Sequence, residues 1–88
     1  MENVTVTLKY LVNISDKTGK GREDVSFRQG TDLNTLAIWL KDAYAIEVPA
    51  RGVMTLLNGH GWNQHPDKME TKLKNGDVII IMPPISGG

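Results

Sequence analysis

Hydrophobic and polar positions alternate at the start of the chain. From Val4 to Leu11 every second residue is apolar or aromatic, which is the two-residue period of a strand with one buried face. The alternation returns at residues 23–27, and the polar, glycine-containing segment 15–22 is expected to be a loop. The sequence therefore predicts an N-terminal hairpin. The buried face predicted for the first strand consists of Val4, Val6, Leu8 and Tyr10.

The period changes to that of a helix after Gly30. Thr31 and Asp32 are typical helix caps, because their side-chain oxygens accept hydrogen bonds from the free amides of the first turn. The apolar residues that follow lie within an arc of about 120°, wide enough to cover a sheet. Pro49 and Gly52 exclude further helix. The predicted stripe consists of Leu33, Leu36, Ala37, Leu40, Ala43 and Tyr44, with Trp39 at its border and Ile38 on the opposite side.

The second half of the chain contains three further predicted strands. Residues 53–58 form the first and end at Gly59, and Trp62-Asn63 is expected to form a short edge strand. The turn sequence Asn75-Gly76-Asp77 stands directly before Val78–Met82, where five apolar residues follow one another. This apolar run is the predicted last strand.

These elements together predict an α+β fold, in which a mixed sheet of four to five strands packs on one main helix. A single helix covers one face of a sheet, but the last strand is apolar on both faces. If Ile79 and Ile81 face the helix, the apolar residues on the other face of this strand remain uncovered as an apolar strip. In the reverse register a similar number of apolar residues remains uncovered. Two interpretations stay open, a strand shielded by loops and a docking surface for a partner. The strip consists of Val78, Ile80 and Met82, with Leu11 as an extension.

Composition narrows the function classes. A chain of 88 residues supports one domain and is too small for a two-lobed active-site cleft, which disfavours an enzyme. Ten Lys and Arg residues balance ten Asp and Glu residues in scattered positions, so nucleic acid is not expected as a partner. The start of the chain lacks the pattern of a signal peptide, and no apolar run reaches membrane-spanning length. We therefore expect a cytoplasmic protein with no membrane partner.

The sequence presents no catalytic or metal-binding constellation. It contains no cysteine, which excludes disulfides and thiolate sites. His60, His65 and Asp67 lack the spacing of a metal site on a fixed scaffold, and no serine has a neighbouring pattern of histidine and carboxylate. The distinctive chemical group is the C-terminal carboxylate of Gly88. No bound cofactor is expected.

The chain end, residues 83–88, is predicted to be an exposed, flexible tail beyond a domain formed by residues 1–82. Pro83 and Pro84 fix two φ angles, which lowers the entropy lost when the tail enters a partner. Gly87 and Gly88 have no side chains that would block a narrow channel. A carboxylate resists nucleophiles until it is activated, for example as an acyl-adenylate. We therefore expect a partner to supply the ATP chemistry.

The residues from Asn75 to Gly88 closely resemble the end of the small subunit of molybdopterin synthase. The order of elements along nearly the whole chain is similar to the β-grasp, ubiquitin-like sulfur-carrier family. The resemblance implies that Gly88 is adenylated by an enzyme of the ubiquitin-activating type and converted to a thiocarboxylate. It further implies transfer of the sulfur to an acceptor enzyme, such as a molybdopterin-synthase large subunit.

The resemblance also implies a docking surface, because Leu11 and Met82 match apolar positions that the family uses for docking. The segments 15–22 and 59–73 are longer than in the molybdopterin-synthase subunit, and the latter resembles ubiquitin-related modifiers. The leading hypothesis is sulfur donation for molybdopterin or a related tungsten-cofactor pterin. The alternatives are sulfur donation for thiamine synthesis or tRNA thiolation, and a protein modifier that is joined through Gly88 to lysines of other proteins. The predicted partner-binding residues are Leu11, Trp62, Ile80, Met82, Pro83, Pro84, Ile85 and Ser86, and the predicted reacting residues are Gly87 and Gly88.

Overall fold

The computed structural model describes residues 2–84 of the chain, and this part forms one five-stranded sheet with one main helix. The strands are β1 (Asn3–Tyr10), β2 (Arg22–Arg28), β3 (Met54–Leu57), β4 (His60–Gly61) and β5 (Val78–Met82). The helices are α1 (Ile14–Thr18) and α2 (Leu33–Tyr44), with short 3-10 helices at Trp62–Gln64 and Lys68–Glu70.

The strands lie side by side in the order β2-β1-β5-β3-β4. The central pair, β1 and β5, is parallel, and the other neighbouring pairs are antiparallel. The apolar side chains of α2 and of one sheet face share a single buried core. The predicted α+β architecture, a mixed sheet on one main helix, is therefore confirmed, and it is a β-grasp arrangement.

The N-terminal hairpin follows the alternation of the sequence. Val4 pairs with Phe27 and Val6 pairs with Val25, so both strands turn apolar residues to the same side. The predicted loop between the strands is partly wrong, because it contains α1. Ile14 lies in the core at 5% exposure and gives this short helix its anchor. The second buried residue of this helix, Thr18, is polar, and a single buried apolar residue is too short a pattern to predict a helix from sequence.

Helix α2 begins where its cap was predicted. The Thr35 amide donates a hydrogen bond to the Asp32 carboxylate at 2.9 Å, and Leu33, Leu36 and Leu40 are fully buried. Ala43 is exposed, which corrects its expected place in the apolar stripe. At 3.6 residues per turn it lies about 80° from Leu33, at the margin of the arc that the sheet covers.

The short edge strand predicted at Trp62-Asn63 lies two residues earlier in the structure. Asn58 and Gly59 both adopt left-handed conformations, with φ of 52° and 88°, as two-residue hairpin turns require. This turn places β4 at His60–Gly61, so that Trp62 and Asn63 fall in a 3-10 helix instead of a strand.

The predicted turn before β5 is held by a buried carboxylate. Asp77, 8% exposed, accepts hydrogen bonds from the Asn58 side-chain amide at 2.9 Å and from the Lys74 backbone amide at 2.7 Å. The side-chain oxygen of Asn58, Oδ1, in turn accepts from the Val78 backbone amide at 2.9 Å. These bonds connect the β3–β4 turn to the start of β5 and so set the position of the strand that leads to the chain end.

Candidate functional site: the open face of the sheet

The alternation of β5 divides its apolar residues between the two faces of the sheet. Ile79 and Ile81 are fully buried on the side of α2. Val78, Ile80 and Met82 point to the opposite side, which we call the open face, and each remains partly exposed. The uncovered strip expected from the sequence is therefore present in the structure.

Strand β3 widens this strip. Met54 pairs with Met82 and Leu56 pairs with Ile80, so these two partly exposed residues lie beside β5 on the open face. Sequence reasoning missed both residues, because the register between two distant strands has no local signal. Leu11, 37% exposed, follows β1, and its amide donates to the Ile81 carbonyl at 3.0 Å. The open-face patch thus consists of Leu11, Met54, Leu56, Val78, Ile80 and Met82.

The open-face patch has a polar border and adjoins the end of the described chain. On the β1 side, Lys9 lies opposite Ile80 in the parallel register. Beyond Met82, Pro83 is half-buried and Pro84 is exposed. The remaining predicted site residues, Ile85, Ser86, Gly87 and Gly88, lie outside the described residues.

Trp62 is not part of this surface. Its side chain is 1% exposed and belongs to the buried core, so the expectation that its ring contacts a partner is corrected. The 3-10 helix turns the indole inwards, and its Nε1 atom has no hydrogen-bond partner within residues 2–84. An apolar ring in a short irregular segment gives no periodic signal that separates core from surface.

A half-buried carboxylate ties three elements together at the end of β1. Glu23 Oε2 accepts hydrogen bonds from the hydroxyls of Tyr10 and Tyr44, each at 2.6 Å, and Lys20 Nζ lies 3.5 Å from Oε1. Burial raises the pKa of the Glu23 carboxyl, but the two tyrosines and Lys20 outweigh it, and the pKa lies below its ordinary value. Burial, together with Glu23, raises the pKa of the Tyr10 hydroxyl. The carboxylate thus steadies the strand end from which Leu11 follows.

We expect the substitution Glu23→Gln to flatten the acid side of the stability profile. The lowered pKa means that the charged carboxylate stabilises the fold above the ordinary glutamate pKa of about 4.3, and that this stabilisation is lost as the pH falls through the folded-state pKa. Melting temperatures between about pH 3 and pH 7 measure the effect. Asp24→Asn, at the exposed neighbouring residue, is the control, and parallel profiles for wild type and Glu23→Gln would contradict the expectation.

Clusters of metal ligands and membrane-spanning helices would indicate other kinds of site. Within residues 2–84, no three His, Asp or Glu side chains come together as metal ligands would. His65 Nε2 lies 3.0 Å from the Leu57 carbonyl oxygen, a contact that joins its ring to β3. None of the helices in this part combines the length and the apolar character needed to cross a membrane.

Comparison with solved structures shows which folds the chain resembles. The small archaeal modifier protein 1 from Methanosarcina acetivorans matches with a TM-score of 0.75 and 25% identity over 100% of both chains. A putative molybdopterin converting factor subunit 1 from Pyrococcus furiosus matches with a TM-score of 0.78 and 24% identity, over 93% of this chain and 99% of that one. A third match is a chain in the protein–protein complex of subunits 1 and 2 of the molybdopterin-converting factor from Helicobacter pylori. Its TM-score is 0.64 and its identity 24%, over 97% of this chain and 100% of that one.

The sequence was compared with curated proteins and with models of protein families. No match is found among curated proteins. The model of the ThiS family matches residues 8–88, which run from the end of β1 through the other four strands and the main helix to the Gly-Gly end. Because this match spans nearly the whole chain, the protein belongs to the ThiS family.

Proposed function

We propose that the protein is a sulfur carrier and not an enzyme. In this proposal a partner adenylates the Gly88 carboxylate, and the product is converted to a thiocarboxylate that donates its sulfur. The observation on which the proposal depends is the open-face patch beside β5, the strand that leads into the Gly-Gly end. Membership of the ThiS family supports it.

The chemistry requires two steps at one carboxyl group. In the first, a Gly88 carboxylate oxygen attacks the α-phosphorus of ATP held by the partner, and pyrophosphate leaves. In the second, a hydrosulfide ion attacks the activated carbonyl carbon, AMP leaves, and loss of the S–H proton gives the thiocarboxylate. Gly87 and Gly88 suit both steps, because the absence of side chains leaves the carbonyl carbon accessible in a narrow channel.

The open-face patch suits the partners that these steps need. Burying apolar surface drives association, and a carrier must dock firmly enough to bring its chain end into another active site. The proposed partners are an adenylating enzyme of the ubiquitin-activating type and a sulfur-accepting enzyme. The H. pylori complex of subunits 1 and 2 supports an acceptor that resembles a molybdopterin-synthase large subunit.

We expect Ile80→Glu to weaken binding of the adenylating partner by about tenfold or more, since the new charge would be buried in the contact. Titration calorimetry measures the affinity, and circular dichroism tests the fold. Ile38→Glu is the matched control, because Ile38 is 63% exposed on the outer side of α2. An equal loss of affinity for the two variants would contradict docking through the open face.

The direct test of the proposal is the intact mass of the chain after incubation with its adenylating enzyme, ATP and a sulfur source. We expect the mass increase of one oxygen replaced by sulfur, located at Gly88 by fragmentation. The proposal would be refuted if this chain never gains the mass while the same enzyme preparation converts another carrier protein that serves as the positive control. Separate incubations with molybdopterin, thiazole and tRNA acceptor enzymes then identify the sulfur acceptor.

A second candidate function is protein modification, in which activated Gly88 is joined to lysines of other proteins. The likeness to the small archaeal modifier protein 1 from M. acetivorans over the full length of both chains supports it. Peptide mapping of cells that produce the protein tests it through Gly-Gly remnants on lysines. Sulfur transfer without any such remnant would favour the carrier function alone.

A further inference from the structure

Strand β2 forms one outer edge of the sheet, at the end opposite to β4. It is seven residues long and pairs with β1 on its inner side. On its outer side no strand of the described part pairs with it. A long unpaired edge is a template for an added strand, and proteins commonly shield such edges.

The backbone groups that face outwards follow from the register. The Gly21 carbonyl accepts from the Tyr10 amide at 2.9 Å, and the Gln29 amide donates to the Glu2 carbonyl at 3.0 Å, so odd-numbered residues bond towards β1. The even-numbered residues direct their N–H and C=O groups outwards. Within residues 2–84 no other group bonds to these outward backbone groups of Arg22, Asp24 or Ser26, whereas the Arg28 carbonyl accepts from Thr31.

On the α2 side, this edge presents the half-buried Glu23, whose carboxylate is bonded to two tyrosines, and then two apolar side chains. Val25 and Phe27 turn to this side and are only partly buried. Phe27 packs edge-to-face on Trp39, with 5.6 Å between the ring centroids. A strand added along β2 would place every second side chain against this apolar margin.

On the open face, the same edge carries positive charge at both ends. Arg22 and Arg28 form no ion pair within the described residues and stand six residues, or about 20 Å, apart. Between them, the Asp24 carboxylate accepts from the Thr7 hydroxyl at 2.7 Å, and Ser26 shares a 2.8 Å hydrogen bond with Thr5. Acidic residues are therefore favoured at the two ends of an added strand and uncharged residues at its centre.

We propose that the outer edge of β2 binds an extended segment of another protein as an added strand. This segment is apolar on its α2 side, acidic at both ends on its open side and uncharged between them. A second copy of this chain fits less well, because antiparallel self-pairing centred on Val25 places Arg22 beside Arg28 of the other copy. This edge lies on the far side of β1 from β5 and contains no residue of the open-face patch, so binding of a strand there is independent of the proposed carrier function.

The probe is a synthetic seven-residue peptide with glutamate at both ends, threonine at the third and fifth positions, and valine at the other three. It reads the same in both directions, so it serves parallel and antiparallel addition alike. Titration followed by amide NMR spectra is expected to shift the Arg22, Asp24 and Ser26 signals. The same peptide with lysine at both ends is expected to bind at least about tenfold more weakly.

Two sets of variants complete the test. Ser26→Pro removes one outward N–H and should lower the affinity at least about tenfold, whereas Ser26→Ala keeps that N–H and should retain binding. If Ser26→Pro fails to fold, the double variant Arg22→Glu and Arg28→Glu tests the charge requirement. Thiocarboxylate formation should persist in every folded variant. No binding at millimolar peptide, binding that Ser26→Pro and the charge reversal leave unchanged, or self-association of the protein through β2 would overturn the proposal.

Discussion

Removal of Gly87 and Gly88 is expected to abolish adenylation and sulfur transfer while the free energy of unfolding changes by no more than about 0.5 kcal/mol. The truncation makes Ser86 the last residue, so the terminal carboxylate then belongs to a residue that carries a side chain. The buried core, in contrast, consists of residues between Val4 and Ile81. ATP–pyrophosphate exchange with the adenylating enzyme measures the first effect, and urea denaturation measures the second.

The matched control for this truncation is Ser86→Ala, which keeps the length of the chain and its terminal carboxylate. We expect it to remain a substrate. Two outcomes would contradict the interpretation. A truncated chain that still accepts sulfur would remove Gly88 from the chemistry, and a large fall in melting temperature would contradict the expected exposed tail.

Leu40→Ala is expected to destabilise the fold by about 2–5 kcal/mol. Leu40 is fully buried in the layer where α2 meets the sheet, and its truncation leaves a cavity that the neighbouring side chains fill only partly. Domains of this size have total stabilities of about 5–15 kcal/mol, so the loss is a large share of the whole. Urea denaturation at neutral pH measures it as a shift of the midpoint at an unchanged slope.

Ile38→Ala is the control for this substitution, because the two residues lie on opposite sides of α2 and Ile38 is 63% exposed. Its expected effect is within about 0.5 kcal/mol. Similar losses for the two variants would mean that the core does not lie between α2 and the sheet. Leu36→Ala, at another fully buried position of α2, should reproduce the large effect.

Local patterns in the sequence were sufficient for the main elements. The alternation at Val4–Tyr10, the capping residue Asp32 and the apolar run Val78–Met82 predicted β1, α2 and β5. Each of these signals is contained in a few consecutive residues, where the period of the side chains reflects the period of the backbone. The Gly-Gly end and the surplus of apolar residues in β5 likewise indicated a docking and transfer function from sequence alone.

Which residues share a surface depends on contacts between distant parts of the chain. Met54 and Leu56 join the open-face patch because β3 pairs with β5 in one register, and Trp62 lies in the core because the turn at Asn58-Gly59 shifts β4 towards the N-terminus. The unpaired outer edge of β2 likewise follows from the strand order. Sequence periodicity determines which side of an element is apolar, whereas contacts between distant segments determine what that side faces.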